Sequence, residues 1–322
     1  MLVILKDMEE TVKDEGKKIK RKEQNMKFDV EKFRNDCKIS DTKRDAGLTT
    51  PDNILRYNDI SYGKYGKYNL LDIYHQKGVT ALQKTIIDIH GGGWTYGDKD
   101  VYQYYCMDLA QRGFTVVNFS YRLAPENPFP AALEDINTVF TWVADNACTY
   151  HIDLDKICVT GDSAGAQLAS QYLTLLCSAE YRKLFSMQVP FDKIAVKVVA
   201  LNCGRYNMNH CIENKIDDPF LTYIDKALSE DRELTLERIN AIKYINKDFP
   251  PAYIMTSEYD FLKEDAKPMY DLLHQKGISC MYKLYGKEGD DYMGHVFHLN
   301  LRLEEARVCN DEECRFFDEI VQ

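Results

Sequence analysis

A chain of 322 residues, 45% of them hydrophobic, is long enough for one large α/β domain with additions, or for two small domains. Its 51 acidic against 41 basic side chains leave a net charge of −10, which argues against nucleic acid as a partner. Ten cysteines are scattered without a C-x-x-C pair, so neither a disulfide framework nor a cysteine metal site is indicated, and a reducing, cytoplasmic setting is expected.

The first five residues, Met1-Leu2-Val3-Ile4-Leu5, are too short an apolar run for a signal segment, and no 18-residue apolar run follows to span a membrane. Residues 6–27 are dense in lysine and glutamate and read as a loose helix or an unstructured segment, with Met26 an alternative start. Strands are expected at 55–62 and 68–74, where alternation suits an antiparallel edge, then at 85–89. Immediately after comes His90-Gly91-Gly92-Gly93-Trp94. This run lacks the order of a phosphate-cradling loop or a dinucleotide fingerprint. Its glycines leave backbone N–H groups free to point at a developing oxyanion.

A helix at 101–112 and a strand at 115–119 lead to Tyr121-Arg122-Leu123-Ala124-Pro125-Glu126 and Phe129-Pro130-Ala131-Ala132-Leu133-Glu134-Asp135. After a helix at 131–148 and a strand at 156–160 comes Gly161-Asp162-Ser163-Ala164-Gly165, followed by small apolar residues at helical spacing over 164–178. A G-x-S-x-G between strand and helix is a nucleophile elbow, a turn too tight for side chains that lifts the serine hydroxyl clear of the chain. Cys158 and Cys177 fall in these elements as small apolar residues.

A strand at 194–201 opens onto residues 203–249, a mixed, partly helical stretch too long for a plain connection, in which 212–223 carries Asp217-Asp218-Pro219-Phe220 and 235–244 reads as a short helix. Strands at 252–256 and 280–285 and helices at 265–276 and 299–320 complete an alternation that predicts a mostly parallel sheet covered on both faces.

The three motif blocks in this order resemble the hormone-sensitive-lipase family of α/β-hydrolase esterases, over most of the chain from about Asn69 onward. The resemblance implies an α/β-hydrolase fold, a helical cap and a Ser-Asp-His triad acting on carboxylic esters. The domain reading is then a charged N-terminal segment and part of the cap over 1–49, and a hydrolase domain over 50–322 with a cap insertion at about 203–249. His90 would orient the glycine loop, as the family's equivalent histidine does.

The triad's chain order, Ser then Asp or Glu then His, confines the search for acid and base to the region after Ser163. Asp260, ahead of the apolar pair Phe261-Leu262, follows the 252–256 strand and fits the family's pattern, with Glu258 as rival. Asp265 suits the first turn of the next helix. Of seven histidines only His274, His295 and His298 follow Asp260. His274 reads as a surface position on a helix. His295 follows a glycine- and acid-rich loop, where the base belongs, but the family's His-Gly-Phe is here His295-Val296-Phe297, which leaves His298 as an alternative.

Ser163, Asp260 and His295 are thus the expected catalytic residues, with Gly91, Gly92 and Ala164 as oxyanion donors. Asp162, Trp94, Glu126 and Asp135 are read as structural. The expected reaction is hydrolysis of a small-molecule ester with a short to medium acyl chain, without cofactor or metal. Amidase, arylformamidase and carbohydrate deacetylase remain alternatives with the same triad, and a non-catalytic ligand-binding relative is a remote one. A homo-oligomer is compatible with the sequence.

Overall fold

The computed structural model describes residues 28–190, 192–213 and 219–322, so the reading of residues 6–27 and of Met26 lies outside the described residues. Eight strands form one sheet in the order β1-β2-β4-β3-β5-β6-β7-β8. β1 (Ile54–Ser61) and β2 (Leu70–Gln76) enter antiparallel. The other six are parallel: β3 (Gln83–Ile89), β4 (Thr115–Phe119), β5 (Ile152–Asp162), β6 (Val196–Asn202), β7 (Ala252–Ser257) and β8 (Cys280–Tyr285). All eight expected strands are present, and the first two do form the antiparallel edge.

Alternate residues of the central strands feed two cores. Ile87 and Val159 point into one, Ile86 and Cys158 into the other. Helices cover both faces: α1 (Val30–Asp45), α2 (Lys99–Gln111), α3 (Ala131–Asn146), α4 (Ala164–Cys177), then α5 (Met208–Glu213), α6 (Pro219–Glu230) and α7 (Arg232–Ile239) within the 203–249 insertion, and α8 (Lys263–Gln275) and α9 (Glu304–Val321). No described helix is long and apolar enough to cross a membrane.

Two helix expectations are corrected. The 235–244 helix is split: α7 starts earlier, capped by Asp231 on the Leu234 amide, and ends before Asn240, after which Ala241–Tyr244 is a 3-10 turn. The 299–320 helix starts only at Glu304. A 3-10 turn, Phe297–Leu299, precedes it, and the Leu303 amide closes a turn onto the Asn300 carbonyl, so Leu299, Leu301 and Leu303 do not form one helical face.

Register places the site. Ile89 of β3 pairs with Gly161 of β5, and Asp162 pairs with Asn202 of β6. The glycine loop therefore leaves the sheet beside the elbow, and the segments carrying Asp260 and His295 leave the same edge after β7 and β8. This is where open α/β sheets place their ligands.

Candidate active site

The elbow is built on close approach. Ser163 takes φ 53°, ψ −119°, a strained conformation for a side-chain-bearing residue. At Gly165 a Cβ would stand 1.9 Å from the Ile89 carbonyl oxygen, so only glycine lets α4 start this close to β3. The Ser163 amide donates to the Asn202 carbonyl at 2.9 Å, which anchors the turn to β6.

Asp260 and His295 converge on this hydroxyl. His295 Nε2 lies 2.9 Å from Ser163 Oγ, and His295 Nδ1 lies 2.7 Å from Asp260 Oδ1. The segment carrying His295 is tied to β7 by Ser257 Oγ, which donates to the Gly294 carbonyl at 3.2 Å, and by a bridge between Tyr259 and Gly294. Burial alone would raise the Asp260 carboxyl. The hydrogen bond and charge of His295, the Leu262 amide and the Thr256 hydroxyl overcome it and hold the carboxyl below its ordinary range.

The rivals are elsewhere. Glu258 pairs with Lys263 at 2.9 Å. Asp265 sits in the first turn of α8. His274 stacks on Tyr270, with centroids 5.8 Å apart. His298 is fully buried with its ring edge-on to Tyr105; neither ring nitrogen has a partner among the described residues, and burial pushes its pKa down to about 3. Cys203 Sγ, unremarked in the sequence, lies with ligating atoms of Asp260 and His295 within 4.8 Å, but two members of that set already bond each other.

One expected oxyanion donor needs correction. The Gly91 amide is not free: it donates to the Tyr102 hydroxyl at 2.8 Å, which in turn donates to Asp162 Oδ2 at 2.9 Å. The amides of Gly92, Gly93 and Ala164 have no acceptor among the described residues, and all three residues line the cavity at Ser163. Gly93, the third glycine of the run, thus joins Gly92 and Ala164 as a candidate donor that the sequence reading does not name. Tyr102 had no signal, since only the folded register of β3 and β5 brings α2 over the loop.

The surrounding expectations gain physical content. His90 is fully buried, stacked on Tyr121 at 4.0 Å and 9°, and hydrogen-bonded through Nδ1 to the Gly91 carbonyl at 2.7 Å. Burial lowers its pKa to about 4, so it holds the loop as a neutral ring. Asp162 is buried too, and burial pushes it up to about 6 against the Tyr102 hydrogen bond. Trp94 Nε1 donates to Gln167 at 3.0 Å, and its ring stacks on Tyr223 of α6. Asp135 accepts from both the backbone and the guanidinium of Arg122, and Glu126 takes a bidentate pair from Arg34 of α1.

Above Ser163 lies a cavity of about 410 Å³. Phe33 and Cys37 of α1, Pro219 of α6, Trp94, Phe261 and Val296 are among its walls, so the N-terminal segment and the 203–249 insertion meet over the serine.

Comparison with known proteins places the fold. Residues 86–299 match the family described as alpha/beta hydrolase fold. Esterase LipQ of Mycobacterium tuberculosis is 29% identical over 211 residues, 63% of this chain and 48% of that protein. Versiconal hemiacetal acetate esterase of Dothistroma septosporum is 28% identical over 249 residues, 73% of each. This chain thus spans about half the length of the first relative and nearly three quarters of the second. Among solved structures, esterase B from Lactobacillus rhamnosis, inhibited with a tributyrin phosphonate, superimposes with a TM-score of 0.81 at 26% identity, covering 91% of this chain and 94% of that one. The chain belongs to the α/β-hydrolase fold family, and the similar proteins named above are esterases.

Proposed function

We propose that this protein is a serine carboxylesterase for esters with short to medium acyl chains. The observation that carries the reading is the hydrogen-bonded line from Asp260 through His295 to Ser163, ending in a walled cavity. His295 Nε2 takes the proton of Ser163 Oγ as the oxygen attacks the ester carbonyl carbon. Asp260 fixes the imidazole tautomer and stabilises the cation that forms. The tetrahedral oxyanion faces the free amides of Gly92, Gly93 and Ala164, each such donor being worth about 3 kcal/mol where one has been removed. The C–O bond to the alcohol breaks, His295 returns the proton to the leaving oxygen, and an acyl-enzyme remains on Ser163. Water then attacks by the same route and releases the acid.

A cavity of about 410 Å³ suits a small ester better than a triglyceride with long chains. The tributyrin-derived inhibitor of the Lactobacillus esterase points the same way. The cysteines, all free where described, support a reducing compartment such as the cytosol.

The test is hydrolysis of nitrophenyl esters of increasing acyl length. Turnover should peak at short chains and fall by about 10⁴-fold or more in Ser163→Ala, with stability nearly unchanged. A folded protein that hydrolyses none of these esters, or a Ser163→Ala variant as active as the wild type, would overturn the reading.

A further inference from the structure

Phe261 follows Asp260 directly, and its ring is 73% exposed. An aromatic side chain this open contributes little to the core, yet it is not idle in position. Its centroid lies 4.3 Å from that of the His295 imidazole, tilted by 44°, and it lines the cavity above Ser163.

The chemistry of acylation says what meets that ring. With the carbonyl carbon on Ser163 Oγ and its oxygen toward the free amides, two substituents remain to be placed. The leaving oxygen must come within hydrogen-bond reach of His295 Nε2 to take its proton. The alcohol part of the ester therefore lies on the imidazole side, and the acyl chain points away from it. Among the described residues lining the cavity, Phe261 is the large apolar side chain most open to solvent, and its ring lies beside the imidazole.

We propose that Phe261 is a specificity-determining residue for the leaving group, giving this enzyme a preference for esters of aromatic or bulky apolar alcohols. The inference rests on the esterase reading above. A benzyl or phenyl group entering beside His295 covers the open face of Phe261 and gains both buried apolar area and an offset or edge-to-face aromatic contact. An ethyl group is too small to cover it. Because the contact forms while the alcohol is still attached, it acts on acylation and therefore on kcat/KM.

A structural alternative is that Phe261 only shields the imidazole from water. The two roles separate in one experiment on the full chain: kcat/KM for benzyl butyrate and ethyl butyrate, in the wild type, Phe261→Ala and Phe261→Tyr. Both esters give the same butyryl-enzyme, so their ratio reports the alcohol alone, and comparing ratios between variants cancels intrinsic reactivity. Phe261→Ala should lower the benzyl-to-ethyl ratio by about fivefold to tenfold, and Phe261→Tyr, which keeps the ring, should hold it near the wild-type value. An equal loss for both esters would overturn the proposal and leave Phe261 as a shield. So would a ratio unchanged by Phe261→Ala. A folded wild type that cleaves neither butyrate would instead bring down the esterase reading itself, and this inference with it.

Discussion

The floor and the roof of the cavity are held by different physics. In α4, which runs from the elbow, every residue from Ala164 to Leu175 is buried, and its first turn touches the backbone of β3. In α1, which forms part of the roof, no residue is buried. The roof is held by directed polar contacts. Arg34 donates to Glu126 and to the carbonyls of Thr95 and Ala124; Arg44 donates to Asp41, Asp45 and the Val101 carbonyl; Tyr96 donates to Asp41; and Arg302 reaches the carbonyls of Arg44 and Ala46. Close packing fixes the reacting atoms, where small displacements are costly. Ion pairs, of which the partly exposed Arg34–Glu126 pair is worth about 1 kcal/mol or less, hold the wall of the cavity. The wall can therefore vary without disturbing the floor.

The largest effect expected of this contrast lies in the floor. Glu313 of α9 is fully buried beneath the elbow, taking a hydrogen bond from Asn202 Nδ2 at 2.7 Å, and Asn202 in turn anchors the Ser163 amide. Burial pushes its carboxyl up to about 7, against the hydrogen bonds of Asn202, Thr160 and Tyr105. A carboxyl raised on folding stabilises the fold fully below its unfolded pKa, and that contribution falls as pH rises through the folded value. Between about pH 4.5 and 7, then, the wild type should lose stability with rising pH through this group. Glu313→Gln keeps the shape, carries no charge, and offers a donor to Asn202 Oδ1, which has no partner among the described residues. It should exceed the wild type by about 2 kcal/mol in urea unfolding at pH 8 and show no gain below about pH 4.5. A variant less stable than the wild type at both pH values would mean that the floor tolerates the buried charge.

The roof should respond in the opposite sense. Arg34→Ala removes a bidentate pair and two carbonyl contacts, but the guanidinium is partly exposed, so global stability should fall by only about 1 kcal/mol. The effect should concentrate locally, as faster amide exchange in α1 and a KM that rises more than kcat falls. In the wild type, 1 M salt should reproduce part of it, because the Debye length falls to about 3 Å. Equal losses of kcat and stability would show that α1 is part of the packed floor.

The same division decides how much the sequence disclosed. The floor was legible because its motifs are local: a strand, a turn whose steric demands admit only small residues, and a helix, repeated at 90–94 and 161–165. The strands, the antiparallel edge and the choice of Ser163, Asp260 and His295 follow from that pattern, from the family resemblance and from the order of the chain, whereas the order of the strands across the sheet does not. What was not legible depends on residues brought together from afar. The Gly91 amide looks as free as its neighbours until Tyr102, eleven residues on and on another element, takes it. Nor does the spacing of Arg34 to Glu126 or Arg302 to Ala46 signal that α1 docks through arginines. The helix expected from Leu299 begins only at Glu304, because the Leu303 amide turns back onto the Asn300 carbonyl, a local contact that the apolar spacing does not reveal.

Val296 tests the boundary between these two kinds of information most finely. The hormone-sensitive-lipase family has glycine after the histidine, and here a β-branched residue sits in the left-handed region at φ 54°, ψ 34°. That conformation costs a β-branched residue about 1–2 kcal/mol, which glycine would not bear. The side chain offsets part of this cost by lining the cavity and packing on the core beneath β8. Val296→Ala gives up the packing and keeps the strain. Val296→Gly gives up the packing and relieves it, at about 0.5–1 kcal/mol of chain entropy. The glycine variant should therefore be at least as stable as the alanine variant, by up to about 1 kcal/mol, an inversion of the usual order. A lower Tm for Val296→Gly than for Val296→Ala would place the cost in lost contacts rather than in the backbone, and the departure from the family's glycine would then be a packing choice of this chain's cavity wall.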